Sequence, residues 1–181
     1  DMVLRPRDLL LAHREVLSQC GGREKGLRVV EIANKFPRVE EVLASIKEKY
    51  EYIGKTFSVV VPEKIEQIIE EGQALKHCLD RSDRYFERIA NQESYIVFLR
   101  RTKAMEQPYY TLEIEPDGTT RQKRTVGDNQ NNDYHRAEKF LKKWQAAIRP
   151  RLSQEDFERQ EISRQLRMYE LESLRNDKVT V

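Results

Sequence analysis

The chain is poor in the residues that build metal centres, disulfide frameworks and phosphate loops. Cys20 and Cys78 are its two cysteines among 181 residues, and neither belongs to a C-x-x-C or cysteine–histidine ligand spacing. The seven glycines form no Gly-rich phosphate loop, and no nucleophile elbow is present. We therefore expect no metal and no cofactor. A reducing compartment is the simplest expectation, although a disulfide between the two cysteines stays open.

Long apolar runs are also absent. No stretch approaches the roughly 20 apolar residues that a membrane span needs, and no signal-peptide pattern is visible. The sequence therefore predicts no membrane association and a cytoplasmic location. The chain begins Asp1-Met2-Val3 rather than with methionine, which is consistent with a fragment of a longer protein.

What the chain has in excess is charge. Charged residues make up 35% and hydrophobic residues 38%, and the apolar residues are periodic rather than missing. This pattern indicates long solvated helices around one core rather than disorder. We predict a single domain over residues 1–150 and a charged helical extension over 151–181.

Helical patterns dominate both ends of the sequence. Gly21-Gly22 is expected to end the first helix, Pro37 ends the second, and Ser153 with Asp156 resembles a cap for the last. The predicted helices cover residues 4–19, 26–36, 39–49, 63–76, 84–90, 134–149 and 153–174.

The middle of the chain predicts strands. Residues 94–101, 108–115 and 119–126 form a three-strand antiparallel meander, with a turn at Pro116-Asp117-Gly118-Thr119, and 50–53 with 56–61 form a separate short hairpin. The fold class is α+β: N-terminal helices, a small mainly antiparallel sheet packed against helices, and the charged helical tail.

Polar side chains concentrate on one face of the meander. The turn places Gln122 opposite Glu113 and Arg124 opposite Thr111, although a one-residue shift would reverse this. In this register the four form a polar patch, and His77 lies against it. Three interpretations stay open: acid–base chemistry at a phosphodiester, phosphate binding, and a solvated sheet face.

A second charged feature follows the meander. Nine basic residues against three acidic ones lie between 119 and 151, and Lys139, Lys142 and Lys143 point outward from the predicted helix 134–149. Such a surface attracts phosphate, and the alternative is an ordinary solvated helix face.

The motifs of the central region resemble the PcfJ-like family over residues 4–148. The resemblance is carried by Glu71-Gly72-Gln73-Ala74-Leu75-Lys76-His77-Cys78-Leu79, Tyr85-Phe86-Glu87-Arg88-Ile89-Ala90, Tyr95-Ile96-Val97-Phe98-Leu99-Arg100 and Pro108-Tyr109-Tyr110-Thr111-Leu112-Glu113-Ile114. The family's His-Cys pair is matched by His77 and Cys78. The sequence departs from the family at residues 80–84 and at Gln122-Lys123-Arg124-Thr125, where the family has Gln-Cys-Arg-Gly.

The resemblance implies a bacterial context of conjugative plasmids, phages and other mobile elements, and it does not imply a reaction. Cys78 is expected to be a buried structural cysteine rather than a nucleophile, because side chains of adjacent residues diverge.

These observations lead to three functional hypotheses. The favoured one is a domain that binds or helps process DNA or RNA through one surface made of Arg100, Thr111, Gln122, Arg124, Lys139, Lys142 and Lys143. The second is a non-catalytic module that docks a protein partner, or a second copy, through residues 153–174. The third is a metal-independent phosphoester hydrolase or transferase with His77 and Glu113 as acid–base residues.

Overall fold

The structure is a computed structural model that describes residues 6–126 and 134–179. Residues 127–133, whose Asn, Asp, Gln and Gly residues predict a loop, lie outside the described residues. The helices are α1 (Pro6–Lys35), α2 (Val39–Tyr50), α3 (Ile65–Ala74), α4 (Arg84–Ala90), α5 (Tyr134–Ile148) and α6 (Gln154–Val179). The strands are β1 (Tyr52–Ile53), β2 (Phe57–Val60), β3 (Tyr95–Arg101), β4 (Tyr110–Ile114) and β5 (Thr120–Arg124). Short 3₁₀ turns lie at Cys78–Asp80, Thr102–Ala104 and Arg149–Arg151.

The five strands form one antiparallel sheet in the order β1-β2-β3-β4-β5. This confirms the α+β class and the predicted meander, which is β3-β4-β5. The sheet is larger than the predicted three strands because the hairpin joins it, with Ser58 opposite Arg100 and Val59 opposite Leu99. A two-stranded hairpin is only marginally stable alone, and pairing with β3 satisfies the backbone groups of β2.

One face of the sheet carries apolar residues and is covered by α5, against which the C-terminal end of α2 packs. The Tyr50 ring lies 5.5 Å from the Tyr95 ring, and Trp144 Nε1 donates a 2.8 Å hydrogen bond to the Tyr50 carbonyl. At the turn between β4 and β5, Gly118 has φ +86°, and a Cβ there would lie 2.7 Å from Ile148 Cδ1. The turn therefore needs glycine both for its backbone conformation and for the close approach of α5.

The other face is covered by α3, α4 and the 3₁₀ turn at Cys78–Asp80, and α1 lies outside α3. The prediction that Gly21-Gly22 ends the first helix is wrong, because α1 continues to Lys35. A Cβ on either glycine would meet no atom within 4 Å. Each glycine destabilises a helix by about 1 kcal/mol relative to alanine. Residues that follow the two glycines hold α1 against the body, because Lys25 bonds Glu70 and Ile32 is buried.

Helix α6 begins with the predicted cap. Ser153 Oγ accepts from the Asp156 amide, and Asp156 Oδ2 accepts a 2.7 Å bond from the Ser153 amide. Asp156 is buried and also accepts from Lys49 of α2. Further along, Gln160 bonds Glu115 and Arg167 forms an ion pair with Glu115. The helix thus contacts the body at several points, while the division at residue 150 stays a prediction.

The Asp156 cap predicts a pH dependence of stability. Burial acting alone would raise the pKa of Asp156, but bonds from Lys49 and Ser153 outweigh it and hold the pKa below its ordinary value. A lowered folded-state pKa contributes stability above the unfolded pKa of about 3.9, and this stability is lost as pH falls through the folded value. At pH 7, Asp156→Asn should lower the free energy of unfolding by about 1–2 kcal/mol.

Urea unfolding at pH 7 and pH 3 measures this effect. The difference between wild type and Asp156→Asn should shrink at pH 3. Glu161→Gln is the matched control, because Glu161 pairs with Arg164 on the exposed face of the same helix and should show no measurable change. Equal behaviour of the two variants would contradict the role given to Asp156.

Within the part of the chain that the structure describes, no helix combines the length and apolarity that crossing a bilayer requires.

Candidate functional site

The predicted register of the polar strands is confirmed. Glu113 lies opposite Gln122, and Thr111 lies opposite Arg124. The preceding strand continues the same face, because Phe98 lies opposite Thr111 and side chains alternate along a strand. Arg100, Thr111, Glu113, Gln122 and Arg124 therefore share one face of the sheet, and a β-bulge between the turn and Gln122 contributes to this register.

This polar face is not open to solvent. Arg100, Thr111 and Glu113 are 7%, 4% and 2% exposed, because the helices α3 and α4 lie over them. Two expectations are therefore wrong for these three residues: a solvated sheet face, and an open surface for nucleic acid. Their charges are compensated within the fold instead.

One compensating set runs from Arg100 to His77. Arg100 donates two bonds to Glu71, of 2.8 and 2.5 Å. The Thr111 hydroxyl donates to Glu71 at 3.5 Å, and His77 Nε2 lies 3.1 Å from the same Thr111 oxygen. Which of the two atoms donates depends on the tautomer of the His77 ring. We call Arg100, Glu71, Thr111 and His77 the polar chain.

A second set surrounds Glu113. Arg88 donates a 2.9 Å bond to Glu113 Oε1, and Ser94 donates a 2.6 Å bond to the same oxygen. Glu113 Oε2 has no hydrogen-bond partner among the described residues. Next to Glu113 lies a cavity of about 10 Å³ that Gln122 and Arg124 also line, which is space for about one water molecule. Glu113 thus sits in a closed site, apart from any wide opening.

Sequence reasoning missed Glu71 and Arg88, the partners that complete these sets. Both carried a signal. Glu71 follows Ile68 by three residues, so it lies on the apolar stripe of α3, and Arg88 follows Tyr85 by three residues on α4. A charged residue on the buried face of a helix indicates a buried partner of opposite charge.

His77 also borders a wide cleft between α1 and the end of α3. The cleft has a volume of about 630 Å³ and is lined by Glu24, Gly72, Gln73, Lys76, His77, Cys78 and Arg81. Cys78 is a free, exposed thiol, so the expected buried structural cysteine is wrong. Helix α3 ends at Ala74. Leu75 and Leu79 are the buried apolar residues that follow it, and the Cys78 side chain faces solvent.

The basic helix lies on the opposite side of the sheet. Helix α5 packs its buried Trp144 against the core of the apolar face, so Lys139 and Lys143 lie apart from Arg100 and Thr111, whereas Lys142 and Gln122 line one groove. The predicted single binding surface is therefore wrong, because Arg100 and Thr111 are buried and the other predicted residues line several different grooves and cavities.

Lys139 and Lys143 line a groove of about 430 Å³ between α5 and the β1–β2 turn. We call it the basic groove; its other cations are Lys55 and Arg136, and its aromatic residues are Tyr52, Phe57 and Phe140. Lys142 faces a neighbouring groove of similar size with Lys123 and Tyr134. The Lys123 ammonium lies 3.7 Å from the centre of the Tyr134 ring.

Comparison with known proteins gives one family and one relative. The family model described as PcfJ-like protein matches residues 1–139. An uncharacterized protein of Listeria innocua is 21% identical over 147 residues, which are 81% of this chain and 30% of the relative. The chain thus spans under a third of that protein's length. No solved structure matches.

Proposed function

The chain belongs to the PcfJ-like protein family, and we propose that it binds nucleic acid through the basic groove. The proposal rests on the four cations of the groove. Lys55, Arg136, Lys139 and Lys143 are exposed, and none forms an ion pair within the described residues. Elsewhere cations are commonly matched, as Lys25 is by Glu66 and Glu70.

The cations form a row along the groove rather than a single cluster. Arg136, Lys139 and Lys143 follow at intervals of three and four residues, which places them on one side of α5. Their span is about 10 Å along the helix at 1.5 Å per residue. A row of this length suits a polymer of phosphates better than one small anion. Lys55, in the β1–β2 turn, extends this row of cations.

Aromatic rings between the cations favour a single strand. The Phe140 ring lies 6.0 Å from Tyr52 and 5.8 Å from Phe57, and both Tyr52 and Phe140 are partly exposed. Bases stack on such rings independently of sequence, each for about 1–3 kcal/mol. The groove therefore combines the two features of sequence-tolerant single-strand binding: backbone charge and a stacking platform.

Substituting the groove's lysines tests the proposal. Lys139→Gln with Lys143→Gln should weaken binding of a labelled single-stranded oligonucleotide and reduce the slope of log affinity against log salt. Each lost phosphate contact accounts for a slope of about 0.7 on single strands. Fluorescence anisotropy at four salt concentrations, with single-stranded and duplex DNA and RNA, measures it.

The matched control is Lys25→Gln with Lys64→Gln. It removes the same charge from side chains paired with Glu70 and Glu40, away from the groove. It should leave the slope unchanged. Equal slopes for the two double variants, or no salt-sensitive binding by the wild type, would remove the proposal. A role on bacterial plasmids or phages is part of the same proposal and rests on family resemblance.

A second candidate is a protein-interaction role for α6. Ile162, Leu166 and Tyr169 are exposed on this helix, Tyr169 by 73%, and they follow at helical spacing on one side. This pattern fits docking of a partner helix or a second copy. Sedimentation velocity of the wild type and of Tyr169→Gln distinguishes a self-association that depends on this stripe from a monomer.

A further inference from the structure

Helix α3 ends in a Schellman motif that holds a lysine where glycine is usual. The His77 amide bonds the Gly72 carbonyl at 3.0 Å, and the Lys76 amide bonds the Gln73 carbonyl at 3.3 Å. Lys76 is in the left-handed conformation, with φ +53°. Glycine adopts this conformation without steric cost, whereas a residue with a Cβ is strained there. The backbone conformation at this position therefore does not explain the presence of a lysine.

The same motif occurs at the end of α4 and provides an internal comparison. The Glu93 amide bonds the Arg88 carbonyl, the Gln92 amide bonds the Ile89 carbonyl, and Gln92 has φ +56°. Gln92 lines none of the clefts described above. Lys76, in contrast, lines the 630 Å³ cleft beside His77. The strained residue at the end of α3 thus places a cation at a cleft.

The cleft has the composition of an anion site. Lys76 and Arg81 are exposed, and neither forms an ion pair within the described residues. The Gln73 side chain adds an amide donor, and the buried His77 ring forms part of the wall. Among the side chains that the structure describes, the one carboxylate in the lining is Glu24 on α1. Within these described residues the two cations outnumber the acidic residue.

The histidine of this wall is held in place from behind. Its Nε2 lies 3.1 Å from the Thr111 hydroxyl, Thr111 contacts Glu71, and Arg100 fixes Glu71 with two bonds. A buried ion pair that orients a histidine at the edge of a cleft is a costly arrangement for packing alone. It holds the His77 ring in one orientation against Thr111.

We propose that this cleft binds a phosphate monoester group, with Lys76 and Arg81 as its charged contacts and Gln73 as a neutral donor. A monoester carries about −1.5 to −2 charges at pH 7 and three acceptor oxygens. Two separate cations with an amide donor match such a group. This site lies across the sheet from the basic groove, so it does not depend on the proposed nucleic-acid binding.

The first test uses the full chain and inorganic phosphate at constant ionic strength, balanced with chloride. The NMR signals of the His77 ring and of the backbone amides of Gln73, Lys76 and Arg81 should shift in a saturable manner. Lys76→Gly should weaken phosphate binding about tenfold, the loss expected for one charge-assisted hydrogen bond. Its unfolding midpoint in urea should stay equal or rise, because glycine relieves the strain.

Three further variants sharpen the result. Gln92→Gly makes the same backbone change at the matched motif and should leave phosphate binding unaltered. Arg81→Gln should weaken binding to the same degree as Lys76→Gly. Glu24→Gln should strengthen it, since a repelling carboxylate is removed. The proposal fails if phosphate causes no saturable shift, or if Lys76→Gly and Gln92→Gly bind phosphate equally well.

The source of the monoester is distinguished in the background of Lys139→Gln with Lys143→Gln. A nucleoside 5′-monophosphate that competes with inorganic phosphate identifies a small-molecule ligand. A 5′-phosphorylated oligonucleotide that binds more tightly than its 5′-hydroxyl form, with the difference lost in Lys76→Gly, identifies the end of a strand. Either result supports the site. Oligonucleotide binding unaffected by the 5′-phosphate, together with no competition by the monophosphate, would overturn it.

Discussion

Arg88→Ala is expected to lower the free energy of unfolding by about 3–5 kcal/mol. Arg88 is nearly buried, and its guanidinium contacts Glu113 at 2.9 Å and Glu170 of α6 at 3.0 Å. Burial lowers the pKa of Arg88, but the carboxylates of Glu113, Glu170 and Glu93 outweigh it and raise the pKa. The side chain therefore stays charged at every pH at which the protein folds. Removing it leaves the Glu113 carboxylate buried with Ser94 as its remaining donor.

Urea unfolding of four proteins measures this cost: wild type, Arg88→Ala, Glu113→Gln and the double variant. The double variant should be less destabilised than the sum of the two single variants, because neither charge is then left alone. Arg164→Ala is the matched control, since Arg164 pairs with Glu161 on the exposed surface of α6. Arg88→Ala and Arg164→Ala of equal stability would show that the buried pair is not what holds α4 on the sheet.

The same pair bears on the chemistry predicted for Glu113. An acid–base residue needs access to a substrate and a proton that can be exchanged. Glu113 is fixed by Arg88 and Ser94 next to a cavity of about one water. His77 is differently placed, because its ring forms part of the wall of an open cleft. The two residues thus line different cavities.

Local sequence features predicted the register of the polar strands. The turn at Pro116-Asp117-Gly118-Thr119 has a fixed length, and the Thr119 amide bonds Asp117 Oδ1 at 2.8 Å as such turns require. The turn pairs Ile114 with Thr120, and a β-bulge next to this pair then shifts the register by one residue, so that Gln122 rather than Arg121 lies opposite Glu113. The start of α6 is a second local feature, because Ser153 and Asp156 are three residues apart and cap each other. Both features depend on contacts within a few residues.

The burial of the polar face could not be predicted from local sequence features. Polar residues alternating with apolar ones are the pattern of a solvated strand face. Arg100 and Glu113 are buried nevertheless, because α3 and α4 bring Glu71 and Arg88 against them from 29 and 25 residues away. Which charges meet depends on how the helices pack. That packing also sends α5 and its lysines to the opposite side.

On that opposite side, Trp144→Ala is expected to lower the free energy of unfolding by about 3–5 kcal/mol. This effect is comparable to that expected for Arg88→Ala. Trp144 is fully buried and connects α5 to the sheet and to the end of α2. Alanine leaves a cavity that the strands cannot close, since they are held by their hydrogen bonds to one another. It also leaves the Tyr50 carbonyl at the end of α2 without the indole N–H. Both losses act on the attachment of the helix that carries Lys139 and Lys143.

Trp144→Phe separates the two contributions, because it keeps most of the ring and removes the hydrogen bond. It should cost about 1–3 kcal/mol, the range for a buried polar group that loses its partner. Urea unfolding gives both values, and hydrogen exchange at α5 reports whether this helix opens before the rest. Nucleic-acid affinity should fall in Trp144→Ala along with protection of α5, whereas the lysine variants should lose affinity at unchanged stability. A groove that kept full affinity while α5 lost its protection would not be the binding surface.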